Sequence, residues 1–227
     1  MFSMKKHTVV GLLVAVGIAL VFGPAVFYWH FVRPWQHVVN LDYYYQTKIA
    51  SALPHNRDPR NNLASLPAGH QTFDGVRFNV AGLIQLADGN DVTQTNNPYP
   101  ESVAGIPVNR FCQRLHLLHG TVQGVDDQTV VASLVLNYAD GTTEKLNIVY
   151  GQQVYDWWFK GSSDLPLAGN TKVAWAGDNP VATSAGYRIR VFKSSFINPK
   201  PNTRIETADF VSALTPSGPF LLALTVE

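Results

Sequence analysis

The sequence predicts a mainly β protein, one N-terminal transmembrane helix followed by an antiparallel β-sandwich. Three observations predict it. An uncharged apolar run covers residues 8–29, eight short segments rich in Val, Ile, Leu, Tyr and Phe recur through residues 73–226, and no ten-residue helical pattern separates those segments. Strands spaced in this way close into a sandwich rather than alternate with helices in a parallel sheet.

The first element is the apolar run. Residues 8–29 reach roughly 33 Å as a helix, enough to cross the hydrocarbon core. Lys5 and Lys6 precede the run and Arg33 follows it, so the positive-inside bias places the N-terminus in the cytoplasm and the following domain in the periplasm. Phe27, Tyr28, Trp29, Phe31 and Trp35 form an aromatic collar at the outer end, suited to the membrane interface. A cleaved signal peptide is the rival reading, with Gly23-Pro24-Ala25 as the cleavage site. The length of the run and the bulky aromatics after that site favour an uncleaved, single-pass anchor in the inner membrane. Gly11, Ala15, Ala19 and Gly23 recur every four residues. On a helix they line a groove of small side chains into which a second helix can pack, and Pro24 kinks the helix just beyond it. His30 sits at the membrane edge, not mid-helix, and marks no pigment or haem site.

Beyond Pro34, the residues Val38, Leu41, Tyr45, Ile49 and Ala52 follow a helical stripe. They predict an amphipathic juxtamembrane helix over 35–53, with Tyr43, Tyr44 and Tyr45 facing headgroups or a neighbouring subunit. Residues 54–62, polar and holding two prolines, read as a linker. The expected organisation is thus a cytoplasmic tip and membrane helix (1–34), a juxtamembrane helix and linker (35–62), and the sandwich (63–227).

Expected strands lie within 73–86 and at 106–119, 129–138, 144–150, 171–176, 186–193, 203–214 and 220–226. The clearest hairpin joins Val130–Tyr138 to residues 142–150 through Ala139, Asp140 and Gly141, since Asp-Gly supplies the positive φ of a tight turn. Residues 87–105 form a long polar loop of the kind that carries contacts on a sandwich.

Several phrases coincide in this region: LPAGHQTFDGVRF (66–78), LLHG (117–120), LNYADG (136–141), YDW (155–157) and FLLALT (220–225). Together they resemble the galactose-binding-like jelly-roll domains, relatives of the carbohydrate-binding modules attached to glycoside hydrolases. The resemblance covers residues 63–227 and implies a jelly roll. Its signatures are strand-and-turn phrases, so it carries over no ligand-binding residue.

Candidate sites are sparse. His116 and His119 sit three apart, which on a strand puts them on opposite faces and breaks a shared metal site. Asp156, Trp157 and Trp158 offer a glycan platform of indole faces beside a carboxylate, and Trp175 reads the same way. Asp126 and Asp127 with Asp140, or Asp88 with Asp91, supply loop oxygens for the structural calcium that many jelly rolls of this type hold. Cys112, the only cysteine, lies in an apolar context and reads as a core residue. A net charge of +1 gives no basic face for nucleic acid. No nucleophile elbow, zinc-protease helix, phosphate-binding loop or dinucleotide fingerprint occurs.

These readings converge on a non-catalytic accessory subunit of a larger cytoplasmic-membrane complex, of respiratory or photosynthetic type. It would dock by its helix and its periplasmic sandwich against other membrane-protein subunits and the lipid bilayer, with no resident cofactor. The alternative is a membrane-tethered glycan-binding module.

Overall fold

In the computed structural model the β-branched and aromatic segments become strands, and the Asp-Gly steps between them become turns with Gly75 and Gly141 at positive φ. The structure describes residues 37–51, 53, 58–90, 99–161 and 165–227. Among these are thirteen strands. In chain order they are β1 (His37–Val38), β2 (Gly69–Phe73), β3 (Val76–Val80), β4 (Ile84–Gln85), β5 (Ser102–Arg110), β6 (Arg114–Val122) and β7 (Val130–Tyr138). They continue with β8 (Thr143–Val149), β9 (Trp158–Phe159), β10 (Thr171–Gly177), β11 (Arg188–Ile197), β12 (Ile205–Ser212) and β13 (Gly218–Val226). One short helix, α1 (Pro180–Ser184), lies between β10 and β11.

All named pairings are antiparallel. The larger sheet runs β1-β13-β6-β11-β10, with β4 also on β13 and β9 also on β11; the smaller runs β5-β12-β7-β8. The predicted hairpin forms as β7–β8, with Asn137 opposite Thr143 at the turn end and Val130 opposite Val149 at the other. The two sheets close on one apolar core. Leu115, Leu117, Phe192, Leu221 and Leu224 come from the larger sheet, and Ile106, Leu134, Leu136, Ile148 and Phe210 from the smaller.

A third layer covers the outer face of the larger sheet. The β2–β3 hairpin, α1 and the segment around Leu53, Leu63 and Leu66 bury a second core against Leu118, Val122, Ile189, Val191, Phe220 and Leu222. Strand β13 therefore has both faces covered, and all nine of its residues are buried where a half-exposed strand would alternate. A bulge between Leu221 and Ala223 lets Leu222 and Ala223 both face the outer core while Leu224 returns to the inner one. Asn179 caps α1, its side-chain oxygen accepting from the Ala182 amide at 2.7 Å, with Pro180 at the first helical position.

Four expectations change. Among the described residues no helix is long and apolar enough to cross a membrane. The anchored fold class, and with it the single-pass inner-membrane placement, is corrected to a mainly β unit whose one described helix has five residues. The run 8–29, its groove of Gly11, Ala15, Ala19 and Gly23, and the collar of Phe27, Tyr28, Trp29, Phe31 and Trp35 lie outside the described residues.

The predicted helix over 35–53 does not form across the described residues. His37 and Val38 pair instead with Val226 and Thr225, and a turn follows in which Tyr44 donates its amide to the Leu41 carbonyl. Tyr44 and Tyr45 donate their hydroxyls to the carbonyls of Gly105 and Leu222, pinning the segment onto both sheets. This segment belongs to the compact unit Gln36–Glu227 rather than to a separate linker.

The single strand expected over 106–119 is two strands, β5 and β6, in different sheets. The chain crosses between sheets at Phe111, Cys112 and Gln113, where Asn198 donates to the Cys112 carbonyl at 2.8 Å. Finally, the loop expected over 87–105 is shorter, because residues 102–105 belong to β5; residues 91–98, including Asp91, lie outside the described residues.

Candidate functional site

The two histidines of the HLLH phrase sit where strand alternation puts them. His119 faces the inner core beside Ser194, and His116 faces outward beside Ser195, its cross-strand partner. No metal can bridge them, and among the described residues no cluster of three or more His, Cys, Asp or Glu could hold one.

His116 is the hub of a polar chain. Its Nε2 lies 2.9 Å from Glu227 Oε2, and its Nδ1 lies 2.8 Å from Ser195 Oγ. Burial pushes the ring below the ordinary histidine range. The Glu227 carboxylate opposes this, while Lys193 and Arg114 add to the depression. In the neutral ring the carboxylate can only accept, so Nε2 carries the hydrogen and the Ser195 hydroxyl donates to Nδ1. Ser195 Oγ in turn accepts from Lys193 Nζ at 3.2 Å.

A hydroxyl–imidazole–carboxylate order is that of a nucleophile relay, here with the ring reversed. Ser195 is mid-strand: its own amide donates to the Asn170 carbonyl, and Phe196 and Ile197 are paired with β6. The Ser195 amide is therefore already engaged and is not an oxyanion donor.

Beside Ser195 the surface opens into a cavity of about 400 Å³, lined by Asp74, Arg114, Asn170, Lys172, Lys193 and Ser195 among others. Strands β6, β10 and β11 supply the cations, and the Asp74-Gly75 turn of the outer hairpin supplies the only carboxylate. Asp74 bridges two ammoniums, with Oδ2 2.7 Å from Lys193 Nζ and Oδ1 3.1 Å from Lys172 Nζ. The Lys193 ammonium beside it holds the Asp74 carboxyl below the usual carboxylate range. The Lys193 side chain is only 9% exposed, so this charge is committed to the cavity wall. Arg114 is exposed, and its guanidinium makes no ion pair among the described residues.

The other candidates are placed differently. Trp157 is 3% exposed, in the outer core, with its ring edge-on to Phe220, so it presents no face to a pyranose. Trp158 packs on Tyr187 at 5.4 Å between centroids, and its buried indole nitrogen has no partner. Asp156 accepts the Trp158 amide at 3.1 Å, and burial raises its pKa. Trp175 lies over Gly177 of its own strand.

Asp126 and Asp127 precede β7 and Asp140 follows it. Nine strand residues, roughly 27 Å, separate the two ends, so they share no calcium. Asp140 instead accepts from Lys200 and Thr142. Asp88 is buried and accepts the Asn90 amide. Cys112 is a core residue whose thiol burial pushes up to about 11.

A second surface feature was not visible in sequence. Phe111 and Ile197 are 64% and 73% exposed. Each is the chain neighbour of one partner in the Asn198–Cys112 hydrogen bond, so the two stand at one corner of the sandwich. Asn198 also accepts from the Tyr138 hydroxyl at 2.5 Å and from the Lys200 amide at 3.0 Å, which holds this corner rigid. No family model and no curated protein matches the chain.

Proposed function

We propose that the chain is a non-catalytic accessory subunit, a sandwich of the galactose-binding-like jelly-roll kind that works by docking to another protein. The observation that carries this reading is the exposed pair Phe111 and Ile197 on a corner braced by Asn198. Single exposed apolar residues are ordinary on protein surfaces. Two bulky ones on a rigid corner expose area that association removes from water. Arg110, next in the chain to Phe111, is exposed and unpaired among the described residues, so the partner surface is apolar with an acidic rim.

The test is purification from the native source, comparing wild type with Phe111→Asp and Ile197→Asp. One defined protein should accompany the wild type in stoichiometric amount and be lost from both variants, with circular dichroism and melting unchanged. A free monomer, or a partner retained by both variants, overturns the reading.

A further inference from the structure

The cavity beside Ser195 carries more positive charge than its one carboxylate offsets. Arg114, Lys172 and Lys193 contribute three cations, and Asp74 is the only acidic lining residue. Each of the two ammoniums has half of one carboxylate, and the guanidinium has none. Such convergence is costly without a counter-charge, since like charges on one concave wall raise one another's energy and focus the field into the opening. Lys193 cannot swing away, because its side chain is buried and tied to both Asp74 and Ser195. The wall behind it is fixed as well. Glu227 sets the His116 tautomer, His116 Nδ1 accepts the Ser195 hydroxyl, and the Ser195 Oγ lone pairs are thereby turned toward Lys193. The result is a pre-set group of N–H donors around a space that admits a small molecule.

We propose that this cavity is a binding site for a compact dianionic oxyanion, sulfate or phosphate, free or borne on a small molecule. Three lining cations against one lining carboxylate favour a dianion over a monoanionic carboxylate, with Glu227, hydrogen-bonded to His116 behind Ser195, offsetting part of the charge from outside the cavity. Arg114 offers its planar fork to two oxygens and Lys172 acts as a mobile point charge at the rim. Lys193 supplies fixed charge from the wall. Ile197 also lines the cavity, so the site adjoins the Phe111–Ile197 corner, but anion binding rests on the cations and docking on the exposed apolar pair.

The experiment is calorimetric titration of the full chain with sodium sulfate, sodium phosphate and sodium acetate at constant ionic strength, with amide chemical shifts followed at residues 114, 170–172 and 193–197. Sulfate and phosphate should bind, acetate should bind far more weakly, and the shifts should cluster at those residues. Arg114→Met and Lys172→Met alter exposed side chains and leave the fold intact. Each should weaken dianion binding about fivefold, the scale of one charge-assisted hydrogen bond near water. Three results overturn the assignment: no heat with either dianion, acetate binding as tightly as sulfate, or undiminished binding by the double variant R114M/K172M.

Discussion

His119 Nε2 lies 2.8 Å from Ser194 Oγ inside the sandwich core, and Ser194 Oγ also meets Thr171 Oγ1 at 2.9 Å and the Gln153 carbonyl at 3.3 Å. Burial alone drives the His119 pKa from the ordinary 6.5 to about 3. The folded state therefore refuses a proton that the unfolded chain accepts. Stability is intact above the unfolded value and falls as pH drops through the window from about 6.5 to about 3, by roughly 1.4 kcal/mol per pH unit. Denaturant unfolding at stepped pH should show this slope in wild type and a shallower one in His119→Gln, which stays neutral throughout. Equal slopes would remove His119 as the cause.

Cys112 should resist thiol reagents in the folded protein. It is buried, its thiol is raised to about 11 by that burial, and Asn198 Nδ2 holds its carbonyl. Reaction with an aromatic disulfide reagent should report local opening. Asn198→Ala, which releases Cys112, Tyr138 and Lys200 together, should cost about 2 kcal/mol and speed labelling at least tenfold. Labelling of wild type at the rate of a free thiol would show the corner to be loose.

At Gly120 an added Cβ would lie 2.3 Å from Phe220 Cζ, and Phe220 is fully buried. Gly120→Ala should destabilise by about 1–3 kcal/mol through overpacking, read as a drop in melting temperature. Phe220→Leu in the same chain should recover part of the loss as a favourable coupling. Strict additivity of the two changes would place the strain elsewhere.

The adjacent tryptophans should separate cleanly. Trp157→Ala empties core volume and should cost about 3–5 kcal/mol. Trp158→Phe removes an indole N–H that has no partner and should cost less than about 1 kcal/mol. Urea unfolding followed by far-ultraviolet circular dichroism distinguishes them, and a larger loss at Trp158 would reverse the assignment of core and rim.

The sequence made the strands legible where local chemistry and tertiary packing agree. Asp140-Gly141 announced the β7–β8 turn, and the apolar run expected as a strand over 220–226 falls within β13. It misled where apolar spacing had a different cause. Leu41, Tyr45 and Ile49 recur at helical intervals because a chain winding through turns drops them separately: Leu41 into the inner core, Ile49 against the outer one. The crossing at Phe111, Cys112 and Gln113 carries no Gly or Pro, so nothing local marked the change of sheet. Helix α1 did have a signal, Asn179 followed by Pro180, but five residues are too few for a period.

The cavity could not be read from sequence. Asp74, Arg114, Lys172 and Lys193 come from four separate elements and meet only once strand order and register are fixed. Alternation along β11 does place Lys193 and Ser195 on one face and Ser194 on the other, but only pairing with β6 brings His116 to Ser195.

Strand β13 lies between β6 on one edge and β1 with β4 on the other, and its partner across from Val226 is His37. That pairing joins the two extremes of the described chain, so its loop-closure entropy is lost before any local contact repays it. Without β13, the last of the described strands, β6 would lose its neighbour on that edge, and β1 and β4 would have no place in the larger sheet. The larger sheet is consequently closed by its least local pairing, the kind that slows folding.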